Sequence, residues 1–289
     1  MPSFAKLLLA LDRAAAGLRQ REIQVDEHRI VYAEGGRGET VLLLHGFGSN
    51  QGSWNRVAKT LTKTYRVIAP DLPGWGSSTR IATASYASPD QVERVHRMVQ
   101  ELKLERFHLV GHSMGGGIAA RYAARYPDEV LTLGLVAARG IIEPHESELR
   151  RSVTRGDANW LLVSSPHDFQ ILLEHLFVRR PHAPRVVIKY LERDAISKCE
   201  QNRRIFDDLQ GDDPPLLDLL PQIKAPALVI WGDKDRLIDV SAAEVFKTTI
   251  KRAQALILPN CGHMPIIERA RECAETYMAF LREQAMARS

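Results

Sequence analysis

A chain of 289 residues with 45% hydrophobic and 26% charged residues has the composition of a folded globular protein long enough to bury one large core. Its formal net charge of +4 is small for that length and its Lys and Arg are scattered among acids, which excludes a nucleic-acid surface built from basic runs. The 3 cysteines, Cys199, Cys261 and Cys273, are odd in number and lack the close pairing of a zinc or redox motif, so a reducing, cytoplasmic setting is the simplest reading.

In chain order, residues 3–18 place Phe4, Leu7, Leu8, Leu11, Ala15 and Leu18 on one helical stripe. Lys6, Asp12 and Arg13 break any continuous apolar run, so this segment is too polar to span a bilayer and too short in its apolar stretch for a signal peptide. It is read as an amphipathic helix within residues 1–20, docked on the domain or in weak contact with a membrane surface. Residues 22–25 and 29–33 flank the polar Asp26, Glu27 and His28 and predict a β-hairpin. Residues 41–44 are wholly apolar, the mark of a strand buried on both faces. Strand and helix patterns then alternate over 67–69, 92–102, 107–110, 114–126 and 130–136, which predicts an α/β fold with a mostly parallel, doubly wound sheet.

After the sixth strand the rhythm breaks near Arg139 and resumes at 227–231. The intervening residues 139–222 carry helix-like segments at 158–163, 168–178, 186–195 and 202–209, and predict a helical cap inserted into a core of residues 21–138 and 223–289. The core closes with a strand at 255–258 and a helix at 268–281.

The segment Val-Gly-His-Ser-Met-Gly-Gly-Gly at 110–117 joins a predicted strand to a predicted helix through Ser113. A serine on so sharp a turn needs very small residues two positions to either side, and both Gly111 and Gly115 meet that need. A serine hydroxyl at neutral pH also requires a base and an acid that orients the base. His263 and Asp235 both lie past carboxyl ends of predicted strands, where ligands of open α/β sheets bind, and the chain order Ser113, Asp235, His263 suits this elbow. Asp233 and Asp239 compete for the acid role, Asp239 with an alternative use as the cap of a helix beginning near Ser241. The developing oxyanion needs fixed donors, assigned to the backbone N–H groups of Met114, at the start of the helix, and Phe47, in the glycine-rich loop after the first buried strand. His45 and His112 are read as structural hydrogen-bonding or packing residues. In the cap, Trp160, Phe169, Leu173 and Phe177 are the candidate substrate-binding wall, with packing against the core as the plainer alternative.

These segments resemble the α/β-hydrolases, and within them the monoacylglycerol lipase-like and bacterial lipase-like members. The resemblance rests on His45-Gly46-Phe47-Gly48, on Asp71-Leu72-Pro73-Gly74-Trp75-Gly76-Ser77-Ser78, on the elbow, on residues 231–235 and on Asn260-Cys261-Gly262-His263; Asp239-Val240-Ser241-Ala242 and residues 159–178 point to the lipase-like members. It implies the α/β-hydrolase fold and a serine esterase or lipase that cleaves short to medium acyl esters or monoacylglycerols through an acyl-enzyme. Related dehalogenases and epoxide hydrolases use aspartate where this chain has Ser113. No metal-ligand cluster or dinucleotide glycine pattern is present in the sequence, so no cofactor and no metal are expected, and the partner is a small ester or lipid. Two alternatives share the scaffold: a carbon–carbon bond hydrolase of aromatic ring-cleavage products, and a non-catalytic ligand receptor.

Overall fold

The computed structural model describes residues 4–210 and 215–287. Helix α1 (Phe4–Ala15) is followed by the hairpin β1 (Leu18–Val25) and β2 (His28–Gly35), then β3 (Thr40–Leu44), α2 (Asn55–Leu61), β4 (Arg66–Pro70), α3 (Ser88–Glu101), β5 (Phe107–His112), α4 (Met114–Arg125) and β6 (Val130–Val136). The insertion carries α5 (Glu148–Thr154), α6 (Pro166–Leu176), α7 (Arg185–Ser197), α8 (Cys199–Asp208) and α9 (Leu216–Leu219). The chain returns through β7 (Ala227–Gly232), α10 (Ser241–Thr249), β8 (Ala253–Leu258), α11 (Pro265–Glu268) and α12 (Ala270–Met286).

Among the described residues 8 strands form one sheet in the order β1-β2-β4-β3-β5-β6-β7-β8. Only the β1–β2 and β2–β4 pairs are antiparallel; the rest are parallel, as the alternation of elements requires. Every residue of β3, β5 and β7 is buried, so the continuous apolar runs in the sequence correspond to strands covered on both faces. The sheet separates two apolar clusters, one including Leu42, Leu44, Leu109 and Trp231, the other Leu43, Val110, Ile230 and Tyr277.

Three local expectations change. The first helix stops at Ala15, and Leu18 begins a strand instead of closing the helical stripe. Gly17, at φ +76°, turns the chain there in the left-handed region. Ser3, the expected start of the helix, lies outside the described residues. Residues 158–163 form turns, not a helix, because Asn159 accepts the N–H of Leu161 with its side chain and that of Leu162 with its carbonyl, a local bonding pattern that competes with helix. At the end of the insertion, Leu216 and Leu220 are fully buried in the core cluster against α4, so this stretch packs with the sheet domain.

Helix α1 lies against β1, α2 and α7, and Asp12 accepts a 2.6 Å hydrogen bond from Asn55 Nδ2. Its outer face leaves Phe4, Leu7 and Leu11 exposed. Among the described residues no helix is long and apolar enough to cross a membrane.

Candidate active site

Strand order reverses direction at β3, which has β4 on one side and β5 on the other. Loops leaving adjacent strands diverge at such a point and open a crevice at their carboxyl ends. The loop after β3, the turn after β5 and the loop carrying His263 all line one pocket there, with a volume of about 220 Å³.

Ser113 sits at φ 52°, ψ −117°, a conformation rarely adopted by a residue with a side chain. The turn is possible only because its neighbours are glycine: a Cβ on Gly111 would stand 2.0 Å from the Gly115 carbonyl oxygen, and one on Gly115 would stand 2.4 Å from that of Leu44. The strand therefore runs straight into α4, and Ser113 is held at the pocket.

His263 Nδ1 lies 2.8 Å from Asp235 Oδ2, and the two side chains are 3% and 0% exposed. The other oxygen of Asp235 accepts the N–H groups of Leu237 at 2.9 Å and Ile238 at 3.0 Å, which fixes the carboxylate plane and supports its negative charge. The competing acids are elsewhere. Asp239 accepts the N–H of Ser241 at the start of α10, and Asp233 accepts the Cys261 N–H at 3.4 Å and pairs with Lys234.

The backbone N–H groups of Phe47 and Met114 have no hydrogen-bond acceptor among the described residues. Phe47 lines the pocket, where its ring packs edge-on against Trp75 at 4.8 Å, and Met114 begins α4, whose first N–H groups carry partial positive charge.

Two buried histidines brace this frame. His45 Nδ1 donates to the Gly46 carbonyl while Nε2 accepts the Leu72 N–H, a neutral tautomer consistent with a pKa pushed down by burial. His112 donates from Nε2 to the carbonyl of His263 at 2.8 Å; burial and the adjacent His263 ring push its pKa down to about 3. Both are structural donors, as read from the sequence. Cys261, two residues before His263, has a thiol pushed up to about 12 by burial, so it stays protonated and unreactive at neutral pH.

Two further acids shape the site: Asp71, which the sequence showed only as part of a family-like motif, and Glu268, which gave no signal beyond its type. Asp71 accepts the N–H groups of Gln51 at 2.8 Å and Ser77 at 2.7 Å and so ties the loop after β3 to the loop after β4. Glu268 accepts N–H groups from Val178 at 3.1 Å, Arg179 at 3.2 Å and Gly262 at 3.3 Å, while the Leu176 carbonyl accepts the His263 N–H at 2.9 Å. The end of α6 is thereby fastened to the histidine loop.

Of the expected cap wall, Phe169, Leu173 and Phe177 line the pocket, together with Leu161, Leu172 and Leu176. Trp160 does not. Its ring stacks on His175 with centroids 3.6 Å apart, so it packs the cap internally while its neighbour Leu161 faces the pocket.

The α/β hydrolase fold family is matched over residues 39–161 and 163–270, and the chain belongs to that family. It is 34% identical over 256 residues to Lipase 1 of Psychrobacter immobilis, covering 87% of this chain and 80% of that protein. Monoacylglycerol lipase ABHD6 of Homo sapiens is 31% identical over 282 residues, 93% of this chain and 84% of its own. Among solved structures, a membrane phospholipase A described as a bacterial virulence factor is 43% identical, with a TM-score of 0.94 over 97% of this chain and 92% of that one.

Proposed function

We propose that the protein is a serine ester hydrolase acting on short to medium acyl esters or monoacylglycerols. The observation that carries this reading is the dry 2.8 Å His263–Asp235 pair at the pocket into which the strained Ser113 turn opens. Asp235 accepts a hydrogen bond from the Nδ1–H of His263, which leaves Nε2 as the base for the Ser113 hydroxyl. Ser113 Oγ attacks the ester carbonyl as its proton passes to Nε2, and the N–H groups of Phe47 and Met114 receive the oxyanion. The imidazolium then protonates the departing alcohol. Water, deprotonated by the same nitrogen, attacks the acyl-enzyme, and collapse of the second tetrahedral intermediate, with the imidazolium returning its proton to Ser113 Oγ, frees the acid and restores the serine.

The apolar wall of Phe169, Leu173 and Phe177 supports an acyl-binding role for the cap, and a cavity of about 220 Å³ is small among ligand pockets, which favours short chains. The lipase names carried by the relatives point to lipid esters and not to ring-cleavage products or a receptor role. The exposed Phe4, Leu7 and Leu11 of α1 support weak contact of the N-terminal helix with a lipid surface.

The direct test is a fluorophosphonate probe alongside turnover of a nitrophenyl butyrate. Labelling at Ser113 is expected, absent in Ser113→Ala and strongly slowed in His263→Ala. Covalent labelling at another serine, or turnover that survives Ser113→Ala, overturns the reading.

A further inference from the structure

The pocket has two chemically different walls. One, from α6, is aliphatic and aromatic; the other brings Arg80, Lys198 and Asn202 to the same cavity. Their placement is built into the fold. Arg80 closes the loop after β4 and donates from Nε to the Gly74 carbonyl at 3.0 Å and from Nη2 to the Gly76 carbonyl at 3.2 Å. That loop packs beneath α8, where a Cβ on Gly74 would stand 3.0 Å from Ile205 Cδ1. Asn202 lies about one turn earlier on α8, and Lys198 immediately precedes that helix.

The charges on this wall are not balanced. Lys198 is ion-paired to Asp194, which also lines the pocket. Arg80 has no carboxylate partner among the described residues, and its two backbone acceptors carry no formal charge. Those contacts hold the guanidinium in place and leave Nη1 available as a donor. Asn202 is 5% exposed and its Oδ1 is buried with no partner, an acceptor waiting for a hydroxyl or N–H. An acyl chain laid along this wall would desolvate a charge without pairing it, so the chain belongs against α6 and the alcohol of the ester against Arg80.

We propose that Arg80, assisted by Lys198 and Asn202, is a subsite for an anionic head on the alcohol side of the ester. On this assignment the protein prefers acyl esters of a glycerol phosphate to neutral glycerol esters of the same chain. The inference rests on the ester-hydrolase reading above. A phosphate offers several acceptor oxygens to the free donors of Arg80 and to Lys198, and a glycerol hydroxyl donates to Asn202 Oδ1.

The experiment compares kcat/KM for the hexanoyl ester of glycerol with that for the hexanoyl ester of glycerol phosphate, in the wild type, Arg80→Gln and Arg80→Lys. Wild type is expected to favour the phosphate ester, and Arg80→Gln to reduce kcat/KM on it roughly tenfold more than on the neutral ester, with partial recovery in Arg80→Lys. Equal losses on both substrates, no loss on either, or a wild-type preference for the neutral ester overturns the subsite while leaving the hydrolase reading standing. Turnover of neither ester by the wild type overturns the hydrolase reading itself. Because Arg80 also braces its loop, a second measurement uses unmodified protein: hexyl phosphate is expected to inhibit neutral-ester turnover at least tenfold more strongly than hexanol, and equal inhibition defeats the proposal.

Discussion

The sheet domain and the cap treat apolar side chains in opposite ways. In β3, β5 and β7 every residue is buried, and the turns between strand and helix are so tight that a single Cβ would collide with backbone. In the cap, α5 buries no residue and α6 buries only Phe169, although α6 also carries Ile171, Leu172, Leu173 and Leu176. Close packing in the first region holds Ser113, Asp235 and His263 in fixed positions; incomplete packing in the second leaves apolar surface along the pocket. Tight and loose packing are thus divided between two parts of one chain, joined where Glu268 and the Leu176 carbonyl grip the histidine loop.

That division is open to attack. The largest expected effect is at the elbow. Ser113→Gly should abolish turnover by several orders of magnitude while raising stability by about 1 kcal/mol, because glycine relieves the left-handed strain. Parallel assays and denaturant melts check both signs, and a destabilised Gly variant would mean that the turn is not strained. Next, Asp235→Asn should keep the fold yet reduce kcat by about four orders of magnitude, since the amide favours the wrong imidazole tautomer. Asp233→Asn and Asp239→Asn should cost far less, and collapse of activity in either would move the acid role to it.

Smaller effects test the cap. Leu173→Ala should change kcat/KM by roughly tenfold across a series of acyl chain lengths, in the range that one buried side chain supplies. Trp160→Ala should leave the chain-length profile alone and lower the melting temperature, because its ring packs on His175 and not on the pocket. A profile shifted by Trp160→Ala and not by Leu173→Ala would reverse the two assignments.

A separate effect, on stability and not on turnover, concerns pH. An unfolded His112 takes up a proton below about 6.5, whereas the folded one stays neutral down to about 3. The unfolded state therefore binds more protons in this window, and the stability present above about 6.5 is lost as the pH falls toward 3. His112→Asn should make that acid loss shallower in urea melts over the same range. An unchanged slope would show that His112 is not held neutral by its burial.

Local pattern determined a large part of this protein. Wholly apolar runs such as 41–44 mark strands covered on both faces, because no half-exposed strand tolerates them, and glycines two positions either side of Ser113 mark a turn that other residues sterically forbid. The placement of Asp235 and His263 after β7 and β8 was legible for the same reason, since strand ends are local features that the sheet then gathers at one edge. What remained for the tertiary structure was the outcome of contacts between residues far apart in the chain. Three acids within a short loop are equivalent by composition, and only packing turned Asp235 toward a histidine 28 positions away. Trp160 and Leu161 are equally apolar neighbours, and an asparagine turn, not periodicity, set which of them faces the pocket. No sequence motif singles out Arg80; only the loop folded beneath α8 brings it to the cavity, with no carboxylate paired to it among the described residues.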